Sequence, residues 1–217
     1  MASSGLVQKF FSGYAAKWDS LYGKKNGKDP FSKFVDEVLR KVIKVRFDKC
    51  VEIVKRSGSL SVLDVGCGSG RYLEEFAQSK IEVLGIDFAE TMLEIARKTI
   101  EEKSLGDLAQ IQNVSWDDYE VVKEFDAVIA IGFFDYQENA SLALNKMAKL
   151  AKKVVVASFP RNSGVLAIQR RVRYRRRKCP LWMYSKADVE TLARGISGLR
   201  NFNVIDLGRD FLLVLYK

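Results

Sequence analysis

Histidine is absent from this 217-residue chain. That removes the side chain most often used as a general base near neutral pH, and the commonest metal ligand with it. Histidine-based triads are excluded, and no metal site is expected. Cysteine is scarce: Cys50, Cys67 and Cys179 are odd in number and share no metal-ligand spacing. They read as free thiols in a reducing compartment, which points to the cytoplasm. No apolar run approaches the ~18–20 residues needed to cross a bilayer. The start, Met1-Ala2-Ser3-Ser4-Gly5-Leu6-Val7, lacks the basic-then-apolar order of a secretory leader. Internal repeats and low-complexity segments are missing too. What is present is ordinary for a globular protein, with 47% hydrophobic and 29% charged residues. The length suits one α/β domain with a sizeable core, spanning residues 1–217.

The net charge is +9, and much of it is local. Between Arg170 and Lys178, seven of nine residues are basic. Such a block can steer anionic ligands or meet nucleic acid or an acidic membrane surface. A solvated face is an equally good reading of it.

The most informative stretch is Val62-Leu63-Asp64-Val65-Gly66-Cys67-Gly68-Ser69-Gly70. Its apolar part, from Ser61 to Val65, reads as a buried strand ending near a carboxylate. Gly66, Gly68 and Gly70 permit a tight turn and let a ligand touch backbone. Leu73, Phe76 and Ala77 then share one face of a helix. Strand, glycine turn and helix form a cradle for an adenosine-containing cofactor. A dinucleotide fingerprint would want glycine at 71, where this chain has Arg71. A second apolar run, Ile81 to Ile86, ends in Asp87, 17 residues after Gly70. That is close to the ~20-residue offset at which an acidic residue binds ribose hydroxyls.

Asp64 with G-x-G-x-G behind it resembles motif I of the class I S-adenosylmethionine-dependent methyltransferases. Asp87-Phe88-Ala89-Glu90-Thr91-Met92-Leu93 resembles their D-x-S-x-x-M-L stretch, and Phe125-Asp126-Ala127-Val128 their F-D-x-V start of motif IV. The resemblance implies S-adenosylmethionine as cofactor. It would be held by Asp64, Gly66, Cys67, Gly68, Gly70, Asp87, Phe88 and Met92, with Ile131 and Gly132 at the end of the fourth strand. Asn113, followed by Val114, stands where the family often has Asp beside the adenine. Tyr14 and Trp18 belong to a segment similar to the Y-x-x-x-W/Y-D-x-x-Y lid of small-molecule methyltransferases.

A narrower resemblance points to the magnesium-protoporphyrin O-methyltransferase group. It rests on F-F-x-G and W-x-x-x-Y-G near the start, on Asp135-Tyr136-Gln137, and on Ala157-Ser158-Phe159-Pro160-Arg161-Asn162. Asp135 stands where that group usually has histidine. The implied activity is O-methylation of a small molecule, an anionic one if Arg161 and Arg173 face it.

Residues 1–58 read as a helical lid, with a polar linker at Gly23–Pro30 and apolar helical spacing over Phe31–Lys55. The core, 59–217, continues with strands at Leu108–Gln112, Phe125–Gly132 and Val154–Phe159, and a helix over Asn139–Ala151. Ser185 caps a further helix. A terminal hairpin joins Phe202–Leu207 to Phe211–Tyr216 across Gly208-Arg209. The expected fold is α/β, a doubly wound, Rossmann-like sheet of seven strands with an antiparallel edge strand from the C-terminal hairpin. Arg170–Pro180 reads as an exposed excursion.

Methyl transfer is an in-line displacement that needs no covalent enzyme intermediate; it needs positioning and exclusion of water. Asp135 and Tyr136 follow the fourth strand, at the carboxyl-end crevice where open α/β sheets bind ligands. Asp135 suits a base and Tyr136 a hydrogen-bond partner, while Asp135 would equally serve as a helix cap. Two other classes stay open. One is an RNA or DNA methyltransferase using Arg170–Lys178; the other is a non-enzymatic protein that binds the cofactor.

Overall fold

The computed structural model describes residues 30–176 and 179–217, with side chains from residue 40 onward. Tyr14, Trp18, the polar stretch 23–29, Arg177 and Lys178 lie outside the described residues. Helix α1, Pro30–Arg56, leads into β1 (Ser61–Val65), α2 (Arg71–Gln78), β2 (Glu82–Asp87), α3 (Glu90–Glu102) and β3 (Ala109–Asn113). There follow β4 (Phe125–Ala130), α4 (Ala140–Leu150), β5 (Ala151–Pro160), α5 (Val165–Arg176), α6 (Lys186–Arg194), β6 (Asn201–Asp206) and β7 (Asp210–Tyr216).

The sheet order is β3-β2-β1-β4-β5-β7-β6. Strands β1 to β5 are parallel, and β7 runs antiparallel to both β5 and β6. The seven-stranded, doubly wound expectation holds. One detail differs: the antiparallel strand is inside the sheet, and β6 forms the edge. The side chains explain it. Phe211-Leu212-Leu213-Val214-Leu215 is apolar on both faces and buried throughout, so it needs cover on each side. Asn201, Asn203 and Asp206 give β6 exposed polar positions that suit an edge.

Alternation along the strands builds two cores. Leu63, Val65, Val128, Ala130, Val155 and Leu213 face α4 and α6. Val62, Val83, Ala127, Ile129, Val156 and Val214 face α1, α2 and α3 through Cys50, Val54, Leu73, Phe76 and Leu93. Each fully buried Leu, Val or Phe contributes about 1.5–3 kcal/mol from removal of apolar surface from water. Gly85 of β2 has no side chain because there is no room for one: a Cβ there would lie 2.8 Å from Cys67 Sγ and 2.8 Å from both Leu73 methyls.

Helix α6 starts with the expected cap, in fuller form. Ser185 Oγ accepts from the Asp188 amide at 3.1 Å and Asp188 Oδ2 accepts from the Ser185 amide at 2.7 Å, a reciprocal capping box. The segment after β5 departs from expectation. It is no exposed excursion but a helix, α5, whose Ala167, Arg170 and Tyr174 are buried. No helix among the described residues is long and apolar enough to cross a membrane.

Candidate active site

The sheet order reverses between β1 and β4, and a cleft of about 1100 Å³ opens at the carboxyl ends of these strands. That is at the upper end of small-molecule sites, with room for two ligands side by side.

One end is built by the glycine turn. Gly66, Gly68 and Gly70 all have positive φ, 73°, 53° and 78°, which an L side chain rarely adopts. Asp87 holds the turn: its Oδ2 accepts from the Gly68 amide at 2.9 Å and its Oδ1 from the Ala89 amide at 2.8 Å. Burial pushes the Asp87 carboxyl up, and these amide donors pull against it. Each oxygen keeps a further lone pair for a ligand. Asp64 lines the same end. Its Oδ2 is buried with no hydrogen-bond partner among the described residues. Burial, and then the charge of Asp87, push its carboxyl up to about 8. A buried, unsatisfied carboxylate oxygen beside an open cleft is a site waiting for a donor or a cation.

Gly66, Cys67, Gly68, Phe88, Met92, Asn113, Val114, Ile131 and Gly132 line the cleft, as do Asp135 and Tyr136. Gly70 does not. It faces α3, where an added Cβ would meet Ala96 Cβ at 2.8 Å. Gly70→Ala is therefore expected to cost about 1–3 kcal/mol of stability by overpacking, read as a lower melting temperature. Gly68 is different, since a Cβ there would meet only the mobile end of Met92 at 3.3 Å.

The loop after β3 forms one wall. Lys146 Nζ donates to the carbonyls of Trp116 at 2.7 Å and Tyr119 at 2.8 Å, and sits 4.5 Å from the Trp116 ring centroid. Burial lowers the Lys146 pKa. Trp116 meets Phe133 edge-on at 6.5 Å, and Phe133 packs toward Gly66, where an added Cβ would stand 3.4 Å from it. Phe133 thus stands between the glycine turn and the far end of the cleft.

That far end is polar and buried. Tyr136 Oη and Tyr174 Oη are 2.6 Å apart. Burial pushes both phenols up, so they stay neutral hydroxyls. Burial also raises Asp135, whose Oδ2 lies 3.8 Å from Arg170 Nη2, too far for full compensation. Arg170 Nη1 is 2.8 Å from Asp210 Oδ1, and Arg46 Nη1 donates to Asp210 Oδ2 at 2.9 Å. Burial works against charge on Asp210, but Arg46, Arg170 and Arg209 overcome it and lower its pKa. Burial likewise opposes the charge of Arg170, and Asp135 and Asp210 outweigh it.

Arg161 and Arg173 are elsewhere. Arg161 Nη1 donates to Asp206 Oδ2 at 2.8 Å and its Nε to Ser163 Oγ at 3.0 Å, while the Arg173 guanidinium lies 5.5 Å from the Tyr174 ring. Neither lines the cleft. Arg46, Arg170, Tyr174 and Arg209 do; of these the sequence pointed only to Arg170, as one member of the basic run. Only the buried face of α5 carried a signal: Arg170 and Tyr174 stand at i and i+4, so they share one side of the helix. Arg171, Arg175 and Arg176 are the exposed part of the basic run.

Residues 62–154 match the family model described as "Methyltransferase domain". A phosphatidylethanolamine N-methyltransferase of Cereibacter sphaeroides is 31% identical over 111 residues, covering 49% of this chain and 54% of that protein. A ubiquinone biosynthesis O-methyltransferase of Azoarcus sp. (strain BH72) is 31% identical over 151 residues, 70% of this chain and 59% of that one. The chain spans about half the length of the curated relatives it matches. Among solved structures, the magnesium protoporphyrin IX methyltransferase of Synechocystis PCC 6803 with bound SAH superposes with a TM-score of 0.78, at 19% identity and 99% coverage of both chains. That likeness is one of fold.

Proposed function

We propose that this chain, a member of the class I S-adenosylmethionine-dependent methyltransferase superfamily, methylates an oxygen of a small-molecule acceptor bound at the Asp135 end of the cleft. The observation that carries the reading is the glycine turn locked by Asp87 beside the unsatisfied Oδ2 of Asp64. This geometry fits the cofactor. Asp64 would take its ammonium, Asp87 its ribose hydroxyls, and Phe88, Met92 and Asn113 would flank its base. When bound, S-adenosylmethionine supplies an electrophilic methyl on a sulfonium.

The chain's own residues then have three tasks. Phe133 and Trp116 shield the meeting point of the two ligands from water. Tyr136, steadied by Tyr174, donates a hydrogen bond and orients the acceptor. Asp135, with its carboxyl raised by burial, accepts the proton that a hydroxyl acceptor must lose. A carboxylate acceptor would need no such base. Cofactor and acceptor sites share one domain in this reading, and the three buried free thiols suit the cytoplasm.

Calorimetry with S-adenosylhomocysteine tests the cofactor half. Wild type should bind it and ignore NADH, and Asp87→Asn should bind about tenfold or more weakly, because one charge-assisted acceptor is lost. Equal affinities in the two proteins would remove the ribose assignment. Tight binding with no turnover on any acceptor would leave a cofactor-binding protein and no enzyme.

A further inference from the structure

At the far end of the cleft, guanidiniums outnumber the carboxylates that form ion pairs with them among the described residues. Arg46 of α1, Arg170 of α5 and Arg209 of the β6–β7 turn line it together. Asp210 answers Arg46 at 2.9 Å and Arg170 at 2.8 Å, and Asp135 lies 3.8 Å from Arg170. Arg209 has no ion pair and no side-chain hydrogen bond among the described residues. Two carboxylates, Asp210 and Asp135, lie within 4 Å of these guanidiniums among the described residues. The surplus charge sits on Arg209. Its pKa is lowered to about 10, first by burial and then by Arg170. Arg170 Nε is itself buried without a hydrogen-bond partner among the described residues. Half-buried cations are retained in a cleft when something anionic completes them.

The backbone presents Arg209 firmly. Gly208, at φ 79°, makes the tight turn before it. The Arg209 carbonyl accepts from the Arg161 amide at 3.1 Å, and the Asp210 carbonyl accepts from the Leu207 amide at 2.9 Å. A fixed turn and a planar fork of donors suit an oxyanion, which takes two parallel N–H···O bonds. Ile43, Phe47 and Phe133 add apolar side chains to the lining of the same cleft.

We propose that Arg209 is the docking residue for an anionic oxygen group, a carboxylate or a phosphate, on an acceptor whose body is apolar. Arg170 stands behind it, held in place by Asp210. The inference rests on the methyltransferase reading of the cleft and specifies the acceptor's chemistry.

The test uses the full chain saturated with S-adenosylhomocysteine, at constant ionic strength. Sodium benzoate and inorganic phosphate are titrated separately against wild type, Arg209→Gln, Arg209→Lys and the exposed-site control Arg175→Gln, with melting temperature as the readout. Wild type and Arg175→Gln should show a saturable rise with at least one anion. The midpoint should move to about tenfold higher concentration or more in Arg209→Gln, and Arg209→Lys, which keeps the charge without the fork, should fall between. A response to benzoate identifies a carboxylate, and one to phosphate a phosphorylated acceptor. No saturable rise over matched chloride in wild type overturns the inference. So does an unchanged midpoint in Arg209→Gln, or an equal loss in Arg175→Gln. If S-adenosylhomocysteine itself leaves the melting temperature unmoved, the methyltransferase reading fails. The same titration on ligand-free protein then still decides the anion site.

Discussion

Arg170→Met is expected to destabilise the protein by about 3–5 kcal/mol, because it removes one partner from a buried ion-pair cluster and leaves carboxylates behind. For a chain of this size each kcal/mol moves the melting temperature by roughly 2–4 °C, so the loss should be plain in calorimetry. Arg170 is 3% exposed and Asp210 is 3% exposed, so solvent cannot stand in for the missing charge. The retained Arg46–Asp210 pair, at 2.9 Å, should place the loss toward the lower end of that range. Removing Asp210 alone should be as damaging, since two guanidiniums are then left facing each other. The double variant Arg170→Met with Asp210→Asn should cost less than the sum of the two single losses, because each single variant leaves its partner's charge unanswered and the double removes both, although Arg46 then loses its Asp210 contact. Additive losses in that cycle would mean the pair contributes nothing as a pair. A cost under ~1 kcal/mol for Arg170→Met, the size of a surface salt bridge, would show that α5 is not anchored through this residue.

Asp64→Asn should have opposite effects on stability and on binding. In the ligand-free protein the Asp64 carboxyl holds its proton up to about 8, owing to burial and to the charge of Asp87. In the unfolded chain the same group ionises near its ordinary value of ~3.9. Between these two values the native state binds a proton that the unfolded state has released, so stability falls as pH rises. The contribution is fully present below about pH 4 and lost on passing through pH 8. Asp64→Asn has no proton to lose. Its melting temperature should decline less from pH 5 to pH 8, and at pH 8 it should exceed that of wild type in the absence of ligand. Cofactor binding should move the other way. Replacing the carboxylate with an amide removes the counter-charge for the cofactor's ammonium, at a cost of about 2–5 kcal/mol, or about thirtyfold to several-thousandfold in affinity. Wild-type affinity should also tighten as pH rises toward 8, and that slope should vanish in Asp64→Asn. Parallel pH profiles for the two proteins would remove Asp64 from the binding reading.

The glycine-turn end of the cleft was legible in the sequence. Asp64, the alternate glycines and Asp87 all fall within one strand–turn–helix–strand unit of under 30 residues, and local chain geometry brings them together. Phe88, Met92, Asn113 and Val114 follow from the same unit and its neighbour. Gly70 shows the limit of such reading. Spacing marks it as part of the turn, while only the packing of Ala96 against it reveals that it serves the join to α3 and not the cleft wall.

The far end of the cleft came from the tertiary structure. Arg46 and Asp210 are 164 residues apart and meet at 2.9 Å. Arg209 enters from a hairpin turn that reads as two ordinary turn residues. Within Arg170–Lys178 the sequence shows a block of charge but not which arginine turns inward, because a helix face is defined by what it packs against. In the fold, α5 presents Arg170 to Asp210 and leaves Arg171, Arg175 and Arg176 to water. By itself, then, the sequence determined the parallel sheet, the glycine turn and the chemistry it can hold. Periodicity and turn stereochemistry are local properties, written in consecutive residues. Which charges meet in the cleft, and which one is left uncompensated, was decided only when the sheet order brought α1, α5 and the β6–β7 turn to one place. Electrostatic balance depends on distance in space and not along the chain.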